Sequence, residues 1–201
     1  MNRPDKHDVT AVILAGGRGS RMDGRDKGLV QLGGRRLIDY VIEAIKPQVD
    51  TIILNANRNL EQYSQYGYPV ISDALSGYQG PLAGYYAALE HAENQYIITL
   101  PCDGPFVPGD LVDRLIEAMC ANNAEIAVAH DGERMQPVYS LIPTSLRTSL
   151  SAFLDTGERK IDRWYQLHRT ALADFSDAPG TFRNINTAEQ RDRLQNEGVL
   201  P

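Results

Sequence analysis

Val9-Thr-Ala-Val-Ile-Leu14 is a nearly continuous apolar, β-rich run, and it empties directly into the glycine-rich stretch Ala15-Gly-Gly-Arg-Gly-Ser-Arg21. A strand apolar on both alternating faces must be covered on two sides, which is the situation of a parallel sheet between layers of helix. The glycines that follow let backbone amides approach an anion and admit left-handed turns. No other segment restricts the possible folds as much.

The rest of the chain repeats the alternation. Leu37, Ile38, Val41, Ile42 and Ile45 fall at helical spacing, and Pro47 ends that helix. Thr51–Leu54 is predicted as a second strand running into Asn55, a short helix spans 60–66, and a third strand, 69–71, ends at Ser72-Asp73. Residues 81–92 are predicted helical. Tyr96–Leu100 is a fourth strand, ending at Pro101-Cys102-Asp103, and Leu111, Val112, Leu115, Ile116 and Met119 share a helical face. Further strands at 126–129 and 138–142 flank Asp131-Gly132, a turn signal. Helices are predicted at 146–154 and 161–168, and Thr187-Ala-Glu-Gln190 has the form of a capping box.

The pattern predicts an α/β fold: a three-layer, open, mostly parallel sheet with a Rossmann-like nucleotide-binding half. The 201 residues are expected to form one domain, with 9–125 as a nucleotide half and 126–201 as a second half. Such sheets bind ligands outside the carboxyl ends of their strands. The glycine loop, Asn55, Asp73 and Asp103 all follow strands, so they are expected on one rim.

The apolar share of 42% and charged share of 23% are those of an ordinary folded chain and exclude global disorder. No apolar run approaches the ~20 residues of a membrane span, and MNRPDKHDVT has no apolar core of a secretory signal. A formal charge of −6 without a long basic block disfavours nucleic acid as a partner. Cys102 and Cys120 show neither zinc spacing nor a disulfide framework, and a cytoplasmic location is expected.

The loop fits neither standard phosphate motif. A Walker A loop needs Lys-Ser or Lys-Thr after its second glycine, and the dinucleotide fingerprint fails because Met22 stands at its third glycine. Arg21 and Lys27 follow within one short stretch, and two cations with a glycine loop can hold a triphosphate. Asp103 is either a turn or helix-capping aspartate or a ligand to Mg²⁺, which takes few carboxylates alongside water and substrate phosphates. Convergence with the loop, Lys27 and Asp73 favours the metal. Cys102 reads as a small buried residue.

LAGGRGSRM at 14–22, DKG at 26–28, NANR at 55–58, SD at 72–73, GPLAG at 80–84, PCDGPF at 101–106, HDGER at 130–134 and NINT at 184–187 together resemble the molybdenum cofactor guanylyltransferase family. The resemblance implies a fold of the nucleotide-diphospho-sugar transferase type. It also implies an enzyme that transfers GMP from GTP to the terminal phosphate of Mo-molybdopterin, releasing pyrophosphate, with Mg²⁺. It places GTP contacts at Leu14, Ala15, Gly16, Gly17, Lys27, Asn55, Asp73 and Asp103, the metal at Asp103, and catalytic charge at Arg21, Lys27 and Asp103. Either Asn55, Asp73 or the backbone reads the guanine edge. Gly17 favours guanine, since the similar CTP-using family has LAAG at this place. Asp23 departs from the family's two glycines after the methionine.

For the pterin side the candidates are His130, Asp131, Arg134, Arg159, Lys160, Asn184 and Asn186, with Arg159-Lys160 suited to a phosphate. Asn184 or Asn186 is alternatively a member of the metal shell, and Asp131-Gly132 is equally a plain hairpin turn. The expected partners are GTP and Mo-molybdopterin, with transient contacts to other cofactor-biosynthesis proteins or molybdoenzyme apoproteins, and the chain is expected to be a monomer. Two rival functions follow from the same residues: a cytidylyl or sugar-1-phosphate nucleotidyltransferase, and a non-catalytic carrier of GTP or molybdenum cofactor.

Overall fold

A computed structural model of the chain describes residues 3–16, 26–73 and 80–201. Its centre is a seven-stranded sheet. In chain order the elements are β1 (Val9–Leu14), β2 (Gln31–Leu32), β3 (Arg35–Arg36), α1 (Leu37–Ile45), β4 (Thr51–Asn55), α2 (Leu60–Ser64), β5 (Val70–Ile71), α3 (Pro81–His91) and β6 (Tyr96–Pro101). They continue as α4 (Leu111–Ala121), β7 (Ile126–His130), β8 (Met135–Pro143), α5 (Arg147–Asp155), α6 (Ile161–Tyr165), β9 (Thr170–Asp174) and α7 (Ala188–Asn196).

The strand order is β5-β4-β1-β6-β8-β7-β9. β1 pairs in parallel with both β4 and β6, and β4 with β5. β8 is antiparallel to both β6 and β7, and β9 is parallel to β7. The sheet is therefore mostly parallel, as the alternation predicts, with β8 as its reversed strand. Pro137 sits in β8 where the register slips from Val128↔Ser140 to Ala129↔Gln136, so its missing N–H costs no ladder bond.

Each face of the sheet carries a helical layer. Ala11 and Ile13 of β1 pack with Ile38, Val41 and Ile45 of α1 and Leu111, Leu115 and Met119 of α4. Val12, on the opposite face, packs with Leu82 and Tyr85 of α3, Leu150 and Leu154 of α5, and Trp164 of α6. The period-2 alternation of β1 thus feeds two cores at once.

Three features depart from the sequence expectation. β2 and β3 form a small hairpin across Gly33 and Gly34, whose φ of 57° and 82° fit a two-residue turn that residues with side chains adopt reluctantly. β9 is an additional edge strand. At the capping box, Thr187 Oγ1 accepts from Gln190 N at 3.2 Å, but Gln190 Oε1 accepts from Asn186 N at 2.8 Å, one residue earlier than expected.

The chain leaves β1 towards β4 and β5, then crosses back to β6 on the other side of β1. This reversal opens a crevice at the carboxyl ends of β1 and β6, the usual place for a ligand in an open α/β sheet.

Candidate active site

Strand register brings the rim together. Leu14 is paired with Asn55 on one side and with Pro101 on the other. Two backbone bonds continue the ladder past the strand ends, Ala15 N to Asn55 O at 2.7 Å and Cys102 N to Leu14 O at 3.1 Å. The first residues of the glycine loop, the 55–58 segment and the Pro101–Asp103 segment therefore leave the sheet side by side. Gly17, Arg21 and Asp23 lie outside the described residues.

On the β4 side, Asp73 is held by two amides. Asn55 Nδ2 donates to Asp73 Oδ1 at 2.9 Å, and Asn57 Nδ2 donates to Asp73 Oδ2 at 2.8 Å. Asn57 Oδ1 accepts from Asp73 N at 2.8 Å, and its Nδ2 also lies 3.4 Å from Gly16 O. The carboxylate is thus oriented before any ligand arrives. Asn57 was not among the residues singled out from the sequence. It stands two places after Asn55 in the NANR motif, a spacing that returns to the same side of an extended chain.

Gly84 of α3 explains part of the GPLAG motif. A Cβ there would sit 2.5 Å from Asn55 Oδ1 and 2.8 Å from Leu14 Cδ2. Only a glycine lets α3 lie this close to the strand ends without displacing Asn55.

On the β6 side, Lys27 reaches across the crevice. Its Nζ donates to Asp103 Oδ2 at 2.8 Å and to Asn186 Oδ1 at 2.6 Å. The Asp103 side chain keeps 10% of its exposure and Lys27 26%, so this is a partly desolvated ion pair, less screened by solvent than a surface one. Ile185 N donates to Asp103 O at 2.8 Å, which lays the NINT segment along PCD. The structure therefore gathers Asn186 with Lys27 and Asp103, 159 and 83 residues away in the chain, and sets Asn184 Oδ1 against Gly104, where a Cβ would lie 2.8 Å from it.

Burial pushes the thiol of Cys102 well above its usual range, with Asp103 adding to the effect. It packs as a small apolar group, as the sequence suggests. Burial likewise raises Tyr139, whose hydroxyl lies 3.4 Å from Gly104 O beneath the Asp103 turn.

The donor set suits Mg²⁺. Asp103 and Asn186 are both hard oxygen ligands, and both already face one cationic group, the Lys27 ammonium. No cluster of three or more His, Cys, Asp or Glu stands ready for a metal among the described residues. One carboxylate and one amide oxygen leave most of an octahedral shell to water and substrate phosphates, which is how Mg²⁺ is commonly held.

Asp131 and His130 are bonded within their own turn. Asp131 Oδ1 accepts from Glu133 N at 2.9 Å and Arg134 N at 2.8 Å, and Oδ2 accepts from Gln136 Nε2 at 2.6 Å. His130 Nδ1 accepts from Gly132 N at 3.1 Å. Arg159 Nη1 donates to Leu154 O and Glu158 O, each at 2.7 Å. Arg134, Lys160 and Asn184 are exposed.

A crevice at the switch point of an open α/β sheet, carrying a lysine–aspartate pair and an amide-held carboxylate, has the form of a nucleotide-binding site. The MobA-like NTP transferase domain family matches residues 11–171. A molybdenum cofactor guanylyltransferase from Shewanella sp. strain MR-4 is 54% identical over 189 residues, covering 94% of this chain and 96% of the relative. One of the same name from Shewanella halifaxensis is 53% identical over 186 residues, covering 92% of this chain and 93% of its own. Molybdopterin-guanine dinucleotide biosynthesis protein A from Archaeoglobus fulgidus superposes with a TM-score of 0.76 at 24% identity, over 94% of this chain and 98% of its own. The 4-diphosphocytidyl-2C-methyl-D-erythritol synthase of Anaerococcus prevotii gives 0.76 at 11% identity, over 97% of each chain. The two superpositions establish the shared fold.

The chain belongs to the molybdenum cofactor guanylyltransferases. It is a nucleotidyltransferase of molybdenum cofactor biosynthesis. No described helix is long and apolar enough to cross a membrane.

Proposed function

We propose that the rim binds GTP with Mg²⁺ and transfers its GMP to the terminal phosphate of Mo-molybdopterin. A phosphate oxygen of the pterin attacks the α-phosphorus of GTP, the α–β bridging bond breaks, and pyrophosphate leaves. The acceptor is deprotonated at neutral pH, so no general base is needed, and the work is positioning and charge neutralisation. Mg²⁺, held by Asp103 and by Asn186 or water, would supply neutralisation of the phosphates. Lys27 and Arg21 take charge developing on the leaving pyrophosphate, and Leu14, Ala15, Gly16 and Gly17 line the GTP. Asp73, aligned by Asn55 and Asn57, is suited to accept from the imino and amino edge of guanine.

The observation that supports this most directly is the Lys27 ammonium bridging Asp103 and Asn186 at the strand-order reversal. Residues 9–125 serve GTP and residues 126–201 the pterin, with Asn186 carried from the second half to the Lys27 ammonium of the first. His130, Arg134, Arg159, Lys160 and Asn184 are the pterin-side contacts, and Asp131 shapes their turn. The enzyme works in the cytoplasm as a monomer and passes its product on through transient protein contacts.

The test is pyrophosphate release with Mo-molybdopterin and GTP, CTP, ATP or UTP in turn. Release with GTP alone is expected. Release with CTP but not GTP, or GTP binding without any release, overturns the proposal.

A further inference from the structure

Asp26 is a buried carboxylate immediately before Lys27, and nothing in the chemistry above uses it. Its side chain is 4% exposed. Tyr63 Oη donates to Oδ1 at 2.5 Å, Asn59 Nδ2 donates to Oδ2 at 3.0 Å, and Arg58 Nε lies 3.6 Å from Oδ2. Burial raises the pKa of the Tyr63 hydroxyl, so it remains a donor. A carboxylate withdrawn this far from water is retained only because it is paired and hydrogen-bonded.

The residue after Lys27 is fixed as well. A Cβ at Gly28 would fall 2.7 Å from Tyr63 Oη and 3.1 Å from Cys102 Cβ, so this backbone is pressed between α2 and the end of β6. Lys27 is thus held at its Cα from both sides, while its long side chain is set across the crevice. The anchoring segment has a second task. Asn57, two residues before Asn59, clamps Asp73 and approaches Gly16 O. Asn59 adopts a left-handed φ of 52°, a conformation asparagine tolerates better than most residues, as it turns towards Asp26.

We propose that Asp26 is a positioning residue that acts through Lys27: its hydrogen bonds to Tyr63 and Asn59, with the Arg58 guanidinium nearby, fix the backbone from which the ammonium reaches Asp103 and Asn186. The inference rests on the nucleotidyl-transfer reading of the site. It also ties the lysine to the segment that orients Asp73, so the phosphate side and the base side share one support. A displaced lysine loses contact with charge that develops in the transition state, while the base contacts survive. The effect therefore falls on kcat and spares KM for GTP.

The experiment is a double-mutant cycle read by GMP transfer, with thermal melting alongside. Asp26→Asn is expected to lower kcat about 30-fold with KM for GTP within about threefold. In a Lys27→Ala background the same change should lower the residual turnover by less than about twofold, because the group it positions is gone. Tyr63→Phe should act in the same direction, more weakly, with the same dependence on Lys27. If Asp26→Asn does not fold, the Tyr63→Phe cycle carries the test alone.

Equal losses in both backgrounds, or a parental kcat in the folded Asp26→Asn enzyme, overturn the inference. A parent enzyme that transfers no GMP, or a Lys27→Ala enzyme as active as the parent, overturns the site assignment instead.

Discussion

The two sides of the rim are built differently. At the ends of β1, β4 and β6, the functional side chains bond to partners far away in the chain: Lys27 to Asp103 and Asn186, Asp73 to Asn55 and Asn57, Asp26 to Tyr63. At the β7–β8 turn, the side chains of Asp131 and His130 bond to residues at most five places away. The first group is partly or wholly withdrawn from water, whereas Arg134 and Lys160 stand in it. A preorganised, low-dielectric cluster can discriminate charge that moves during reaction. Exposed side chains on local turns are better suited to meeting a bulky second substrate and letting it go.

Breaking the Lys27–Asp103 part of the first group should therefore cost chemistry. Asp103→Ala removes the carboxylate and leaves Lys27 facing Asn186 alone, and kcat is expected to fall by about 10³-fold or more in steady-state pyrophosphate release. Circular dichroism should remain parental. A turnover within tenfold of the parent would remove Asp103 from the centre of the site. Lys27→Ala comes next, with about 10²-fold lost from kcat and little from KM for GTP. A change confined to KM would make Lys27 a binding group only.

The same contrast decides what the sequence could disclose. β1, β4, β6, α1 and α4 are legible because each announces itself locally, by an apolar run or a 3.6-residue stripe. Asp103 is legible because it directly follows a recognisable strand. The reversed direction of β8 has no local signature, since it is decided by which strands pair across the whole chain. β9 escapes because Thr-Ala-Leu-Ala-Asp has a single β-branched residue and its Leu172 remains half-exposed at the sheet edge. Gly33-Gly34 was a usable hairpin signal for β2 and β3. Asp26 had none: in sequence it is one acid in a polar stretch, and Tyr63, arriving from α2, covers it together with Asn59 and Arg58.

Gly84 tests how tightly the base side is held. Gly84→Ala places a methyl group 2.5 Å from Asn55 Oδ1, so Asn55 must move and its bond to Asp73 with it. KM for GTP should rise about tenfold, with kcat changed far less, because the disturbed groups bind the base in ground and transition states alike. An unchanged KM would show that α3 can retreat without disturbing the strand ends.

Asp131 should give the smallest effect, because its partners are its own turn. Replacing it by alanine leaves the N–H groups of Glu133 and Arg134 to water at a partly exposed site, a loss of about 1 kcal/mol in stability. KM for Mo-molybdopterin should rise about threefold as the turn loosens, with KM for GTP unchanged. Asp131→Asn keeps an acceptor for both N–H groups and should recover most of the loss. Burial works upward on the Asp131 carboxyl, but the N–H groups of Arg134 and Glu133 outweigh it and hold the pKa below its ordinary value. A depressed folded-state pKa contributes stability above the unfolded-state pKa and loses it as pH falls through the folded one. The stability gap between the parent and Asp131→Ala should therefore narrow in acid, in thermal melts taken from neutral pH downward. If Asp131→Ala instead lowers kcat as far as Lys27→Ala does, the turn belongs to the reacting cluster and the division of the rim into two kinds of surface is wrong.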